Sequence, residues 1–361
     1  MPAPGYDRMA VADAPPLVVH LIPYDGIGGV EIAAATVASG AYPGLRLSKA
    51  FLADKGDERT DPDALTTGIR SENAPGAYWQ MIRALLPLRP TMIVVSLWRS
   101  CLVGIVMKLL RPRTRLILFL HNSEDAHLLD RFVTRATAAL SSGIFADSRS
   151  TAAQRLGSKR APDIRVISFL TDRITPRSPE TPSPGFLSWG RLHPRKRLSQ
   201  AIRIFGHIRE RHAGARYTII GPDGGDERRL RAQSAMLGQD QAITFAGPAT
   251  RAAIFERARE ASFFLLTSTA EGMAMSLVEA MQLGLVPVTT PVGEAAHYVR
   301  GGSNGIVIRS PEQAQAEIER LLADPAAFAT MRRRAIESWA DKPLYRDDFL
   351  AACREALPPV K

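Results

Sequence analysis

Residues 263–290 read FFLLTSTAEGMAMSLVEAMQLGLVPVTT, with two glutamates, Glu271 and Glu279, eight positions apart. The apolar run at 263–266 has the length and composition of a buried strand. The segment TSTAEG is a loop, a helix begins near Ser276, and the apolar run at 285–289 is the next strand. Such a strand–loop–helix–strand unit belongs to a parallel sheet, and ligands bind such sheets outside the carboxyl ends of their strands. The first N–H groups of a helix lack intrahelical acceptors and its N-terminal end is positive, so the first turn of this helix suits a phosphate. Carboxylates flanking that turn are better placed to hold hydroxyls. For Glu279 a second reading stays open, because Ser276-Leu277-Val278-Glu279 has the S-x-x-E form of a capping box. Glu271 precedes a glycine in a loop, where no helix cap asks for an acid.

The same alternation runs through the rest of the chain. Strands are expected at 17–23, 46–53, 91–97, 116–121, 144–148 and 165–169, with helices from residue 30 and at 77–86, 100–110, 127–140 and 150–156. Residues 171–184, TDRITPRSPETPSP, are rich in proline, lack a hydrophobic period and read as a linker. Strands then recur at 186–189, 217–220, 243–246, 263–266, 285–289 and 305–308. Helices separate them, and three more close the chain at 311–322, 325–339 and 344–357. This is an α/β pattern of two parallel-sheet domains. The expected division is a disordered lead-in at 1–16, a first domain at 17–170, the linker, a second domain at 185–342 and a terminal helix at 343–361.

At 361 residues the chain is long for one core and natural for two. Its two cysteines, Cys101 and Cys353, form no metal or redox motif and fit a reducing compartment. No apolar run is long enough to span a bilayer, and the N-terminus carries no export signature. The net charge of +10 is unevenly spread: residues 76–175 hold fifteen Lys or Arg against six Asp or Glu. A basic face attracts anionic lipid, anionic substrate or nucleic acid, and the lack of an aromatic RNA-binding signature or zinc-finger spacing argues against nucleic acid. Residues 98–110, apolar and succeeded by Arg111-Pro112-Arg113-Thr114-Arg115, could meet a membrane edge, although a helix packed on the sheet with a basic last turn explains them as well.

Further candidates lie at strand ends. Gly190-Arg191-Leu192-His193-Pro194-Arg195-Lys196 places two cations, Arg191 and Lys196, where a diphosphate could be reached, or forms a solvated basic turn. Gly28 and Gly29 lie in a glycine turn after the first strand; Glu31 stands where a dinucleotide fingerprint needs glycine, so that motif is excluded. His121 ends a strand, where it could bond a sugar hydroxyl or serve only structure. Gly221 and Phe245 belong to turns after strands, whose composition ordinary turn chemistry explains. Asp61-Pro62-Asp63 has the D-x-D form of a metal motif but no strand before it, and reads as a solvated turn. No histidine spacing suggests a metal site.

The stretch EGMAMSLVEAMQLGLVPVTT resembles the defining segment of glycosyltransferase family 4, EGFG-x-x-x-x-EAMA-x-G-x-PVV, and G-R-L-x-x-x-K recurs at 190–196. The resemblance implies a GT-B fold, two Rossmann-like domains facing across a cleft, and a retaining enzyme. It would move a hexose from a UDP- or GDP-linked sugar to a lipid-linked or glycan acceptor in bacterial cell-envelope or exopolysaccharide synthesis, with no metal required. It implies that Glu271 and His121 are catalytic and that Glu279 holds the ribose. The backbone of Gly272, Met273, Ala274, Met275, Ser276 and Leu277 would lie along the diphosphate, Arg191 and Lys196 would neutralise it, Gly28 and Gly29 would approach the donor phosphate or the acceptor, and the turns of Gly221 and Phe245 would lie beside the nucleotide base. It also implies that the terminal helix crosses back to the first domain, in an enzyme that is cytoplasmic or peripheral at the inner face of the plasma membrane. Ala274 stands where the family has a second glycine, so a positive φ there would be strained. The alternatives are a GT-B sugar-nucleotide epimerase and a non-catalytic binder of sugar nucleotides.

Overall fold

The computed structural model describes residues 15–26, 29–54, 61–121, 124–157 and 164–359. Gly28 and most of the expected lead-in lie outside them. The chain divides into two compact units, Met1–Thr171 with Tyr345–Lys361, and Asp172–Leu344. Each is α/β with a predominantly parallel sheet, the fold class expected from the alternation.

The first unit holds strands β1 (Leu17–Tyr24), β2 (Gly40–Tyr42), β3 (Leu45–Ala53), β4 (Leu65–Thr66), β5 (Met92–Ser96), β6 (Arg115–Leu120), β7 (Gly143–Ala146) and β8 (Arg165–Val166). Their order is β2-β3-β1-β5-β6-β7-β8, with β4 beside β3. Among these strands only β2 runs antiparallel, pairing with β3. Periodicity does not predict this hairpin, because its GAYPG sequence carries turn residues and almost no strand pattern. Helices α1 (Gly29–Ala35), α2 (Pro75–Leu88), α3 (Leu97–Leu110), α4 (Leu128–Leu140) and α5 (Arg149–Leu156) cover the sheet. Alternate residues Val19, Leu21, Ile93, Val95, Leu116 and Leu118 form one core with Met81, Leu85, Val103 and Met107 of α2 and α3. The final helix α13 (Tyr345–Ala356) belongs to this unit. Its Phe349 stacks with Phe119, and its Asp348 binds Arg165 and the Ser168 amide.

The second unit carries β9 (Gly185–Trp189), α6 (Leu198–Arg211), β10 (Arg216–Ile220), α7 (Glu227–Met236), β11 (Ile243–Phe245), α8 (Arg251–Arg257), β12 (Phe263–Leu266), α9 (Met275–Gln282), β13 (Val286–Thr289), α10 (Ala295–Tyr298), β14 (Ile306–Val307), α11 (Pro311–Ala323) and α12 (Pro325–Glu337). The sheet order is β11-β10-β9-β12-β13-β14, and every neighbouring pair is parallel. Strand order therefore reverses between β9 and β12, the place where a doubly wound sheet opens a crevice. The β9–β12 ladder stops after Leu187–Phe264. Beyond it the Ser188 hydroxyl donates to Leu265 O at 2.6 Å, bridging strands that have begun to separate. Residues read as a linker are strapped to this unit: the amides of Arg177 and Ser178 donate to Leu283 O, and that of Ile174 to Gln282 Oε1.

Asp61 corrects the reading of a solvated D-x-D turn. It is buried against the equally buried Lys49 at 3.2 Å and accepts from the Ser39 amide and hydroxyl. Burial opposes its charge, but the hydrogen bonds from Ser39 and the Lys49 ammonium outweigh it and hold the carboxyl below its usual range. Pro62 and Asp63 stay exposed. Removing one partner of a buried pair costs about 3–5 kcal/mol. Asp61→Ala should lower stability by that amount in urea unfolding, and a loss under about 1 kcal/mol would show that Lys49 is compensated elsewhere.

Candidate functional site

In the second unit the site grows from the two strands that flank the switch point. After β9 the chain makes a turn, and Pro194–Lys196 form one 3-10 turn. The Thr267 hydroxyl, just past β12, shares its proton between Lys196 O and Arg197 O, and the Thr269 amide donates to Arg195 O. These bonds clamp the basic turn to the loop that carries Glu271. Lys196 Nζ meets Glu271 Oε1 at 2.6 Å, with the glutamate side chain 10% exposed. Ser268 Oγ donates to the same oxygen. Glu271 Oε2 makes no hydrogen bond among the described residues, and two of the three ammonium protons of Lys196 have no acceptor there. One fixed carboxylate oxygen and one open one, beside a cation with donors to spare, form a site that can take a hydroxyl and an anion together.

The turn after Glu271 is shaped by backbone. Ala274 has φ +52°, the left-handed region, and Met275 starts α9 directly behind it. The positive φ at which the resemblance would make an alanine strained is present. This geometry also corrects the capping-box reading. With Ala274 as the N-cap, Glu279 lies a full turn into the helix, and no side chain caps the end. The amides of Met275 and Ser276 consequently have neither an intrahelical acceptor nor a side-chain cap. Met273 and Leu277 are buried, so they can offer a ligand only backbone. Gly272 is fixed from behind, its carbonyl accepting from the Glu294 amide. Gly293 at φ +54° lies so close that a Cβ would stand 2.0 Å from Glu271 O.

Freed from capping, Glu279 accepts from Trp189 Nε1 at 3.1 Å and Arg251 Nε at 2.8 Å. Arg251 in turn binds Asp172. Neither Trp189 nor Arg251 stands out in the sequence: one reads as the end of a strand and the other as the residue before a helix, and no local pattern announces their convergence. Arg191 is exposed and stands apart from this group. A Cβ on Gly224 would lie 2.7 Å from its Cγ, and it makes no ion pair among the described residues. Gly221 has a packing duty, since a Cβ there would stand 1.9 Å from Gly190 O. Phe245 lies under the Arg231 guanidinium at 4.6 Å.

The first unit builds a separate polar group at the edge of its own sheet. Ser96 Oγ lies 2.9 Å from His20 Nε2 and 2.8 Å from His121 Nε2, joining β1, β5 and the residue after β6. Burial, and then the Lys49 cation, push the His20 imidazole down to about 3. Burial, and then His20, hold His121 well below the ordinary histidine value. Both rings are therefore neutral at neutral pH. His121 lines a cavity of about 160 Å³ with Tyr24, Trp98 and Arg99, and its Nδ1 has no hydrogen-bond partner among the described residues. Gly29 begins α1 and is exposed. Among the described residues no group of three or more His, Cys, Asp or Glu could hold a metal ion, and no helix is long and apolar enough to cross a membrane.

Residues 172–339, nearly the whole second unit, match the model of the family described as glycosyl transferases group 1. The GDP-mannose:cellobiosyl-diphosphopolyprenol alpha-mannosyltransferase of Komagataeibacter xylinus is 28% identical over 137 residues, which is 38% of this chain and 35% of that protein. The D-inositol 3-phosphate glycosyltransferase of Acidothermus cellulolyticus is 31% identical over 157 residues, 41% of this chain and 35% of that protein. The chain thus spans about a third of the length of the curated relatives it matches. Anabaena HepE, solved with UDP-glucose, shares the fold with a TM-score of 0.76 over 94% of this chain and 99% of that one, at 18% identity.

This geometry sets two measurable expectations. Ala274→Gly should raise stability by about 1 kcal/mol, the cost of a left-handed alanine less the added freedom of glycine in the unfolded chain. An unchanged or lower melting temperature would show that the φ at 274 is unstrained. The buried histidines resist protonation when folded but accept it near pH 6.5 when unfolded, so their contribution is complete above that pH and is lost as pH falls below it. Stability should decline with a slope of about 1.4 kcal/mol per pH unit for each of the two, and His20→Asn should make the slope shallower. A pH-independent melting temperature between neutrality and pH 5 would contradict the assignment.

Proposed function

We propose that the protein is a retaining family 4 glycosyltransferase. It moves a hexose from a UDP- or GDP-linked sugar to a hydroxyl of a lipid-linked or glycan acceptor, in cell-envelope or exopolysaccharide synthesis. The observation that carries the reading is the Lys196–Glu271 pair, held where the second sheet reverses its strand order. The second unit takes the donor. Its diphosphate lies against the amides of Met275 and Ser276, with Lys196 turning its spare protons to the phosphate while keeping Glu271 in place. Arg191 swings in as the second cation. Glu271 Oε2 accepts from a sugar hydroxyl, and Glu279, steadied by Trp189 and Arg251, takes the ribose hydroxyls.

As the C1–O bond to the phosphate breaks, negative charge grows on the diphosphate, and the cations and helix amides stabilise it most at that moment. The acceptor oxygen bonds to C1 from the face the phosphate leaves, and its proton passes to the departing phosphate oxygen. His121, uncharged, supplies a hydrogen bond to a hydroxyl through Nδ1 and does not act as a cationic acid. The relative named for GDP-mannose and a cellobiosyl-diphosphopolyprenol supports a nucleotide-sugar donor and a lipid-borne acceptor. In this reading the enzyme works in the cytoplasm, with its acceptor at the inner face of the plasma membrane, and two cations do the work that a metal does in other transferases.

A panel of nucleotide sugars screened by thermal stabilisation identifies the donor, and transfer is then measured with and without EDTA. Lys196→Ala and Glu271→Ala should each lower kcat/KM by about 100-fold or more, the scale of losing one group that stabilises transition-state charge. Their circular dichroism should be unchanged, and EDTA should not inhibit. A variant within a few-fold of the parent would remove that residue from the site.

A further inference from the structure

The outer surface of the first unit breaks the rule that a helix lying on a sheet turns its polar side to water. Helices α2, α3 and α4 form consecutive crossovers on one face of the sheet, and each packs beside the next. In α4, Asp130, Val133, Thr134, Thr137 and Ala138 face the core. The opposite side carries Leu128, 83% exposed, and Phe132, 73% exposed. Helix α3 adds exposed Val106, Leu109 and Leu110, and α2 adds Trp79. Beyond this layer the only large exposed apolar side chains among the described residues are Ile32, Met236 and Leu237. A concentration of this kind marks an interaction surface.

Charge says what the surface meets. No Asp or Glu occurs from Pro75 to Leu120. The one acid within α4, Asp130, is buried against Arg155 at 2.7 Å. The exposed charges on the three helices and the turn after α3 are cationic, among them Arg83, Arg113, Arg131 and Arg135. At the ends of α2 and α3 an open groove of about 450 Å³ is lined by Arg89, Arg111, Arg113 and the exposed Leu110, so cations and an apolar side chain share one recess. At the other end of the layer the Trp98 ring meets that of His127, the α4 N-cap, at 5.0 Å. Trp98 also lines the His121 cavity. The apolar face therefore runs to the edge of that cavity.

We propose that the α2–α3–α4 layer docks on an anionic bilayer, with Leu128 and Phe132 entering the acyl boundary and the arginines bonding lipid phosphates. Apolar residues flanked by Lys and Arg on one helical surface are the pattern of interfacial membrane binding, and basic residues near an anionic surface each add to it. The inference rests on this surface alone. If the proposed lipid-borne acceptor is correct, it also gives the lipid a path to the His121 edge. A second copy of the chain is the competing occupant, but the exposed charges on the three helices and on the turn after α3 are cationic and repel their like, the exposed acids Glu124 and Asp125 lying before α4, where Asp125 pairs with Arg155 and Arg131.

The test is co-sedimentation of the full chain with phosphatidylcholine vesicles with and without phosphatidylglycerol. Binding should be at least about tenfold stronger to the anionic vesicles and should fall sharply in about 1 M salt, where charges are screened within a few ångströms. Leu128→Ser with Phe132→Ser, and separately Arg113→Gln with Arg135→Gln, should each weaken it about tenfold. Met236→Ser on the second unit should leave it unchanged. Nucleotide-sugar binding in vesicle-free solution and melting temperature should be the same for all, which separates failure here from failure of the donor assignment. Vesicle binding indifferent to lipid charge or to both pairs of substitutions overturns the proposal. So does a dimer in light scattering that the Leu128 and Phe132 substitutions split.

Discussion

The ion pair between Lys196 and Glu271 joins the loop after β9 to the loop after β12, and the second unit is arranged around keeping those two loops together. Thr267 and Thr269 fasten the basic turn by its carbonyls, Ser268 fixes the carboxylate, and Gly293 lets another backbone press against Glu271 from outside. The result is a carboxylate with one oxygen immobilised and one available. Holding such groups in place before the ligand arrives removes the cost of arranging them at the moment of reaction. The left-handed Ala274 contributes to the same end. By starting α9 at Met275 without a side-chain cap, it leaves two amides at the helix end for an anion and turns Glu279 toward Trp189 and Arg251.

The first unit shows the opposite electrostatic strategy. Its polar group at the sheet edge is made of two neutral imidazoles sharing one serine hydroxyl, packed under Phe349 and Phe119. The imidazoles stay neutral although Lys49 acts on His20 and Arg99 lines the His121 cavity. The two candidate groups thus differ: a cation and a carboxylate face each other in the second unit, and two neutral imidazoles share a hydroxyl in the first.

Much of this is legible in the chain. Buried strands of a parallel sheet are short apolar runs, and their ends carry the turns, so periodicity alone places Glu271, Lys196 and His121 at strand ends. The positive φ of Ala274 is foreseeable only through the resemblance, whose segment has a glycine at that place. The features that stay hidden depend on distance along the chain. Glu279 stays open between helix cap and ligand in the sequence, until Trp189 and Arg251, from other elements, are seen to take its oxygens. Asp61 reads as a turn residue because the buried Lys49 that claims it belongs to β3. The period of α4 reveals that it is a helix with a buried side, but an apolar residue on its outer side looks like any other until the layers are assembled.

The most direct measurement is a crystal structure of the protein with a nucleotide sugar bound. The account predicts diphosphate oxygens about 3 Å from Lys196 Nζ and from the amides of Met275 or Ser276, with Glu271 Oε2 on a sugar hydroxyl. A diphosphate bound elsewhere, with Lys196 still engaged only by Glu271 and the start of α9 empty, would contradict it.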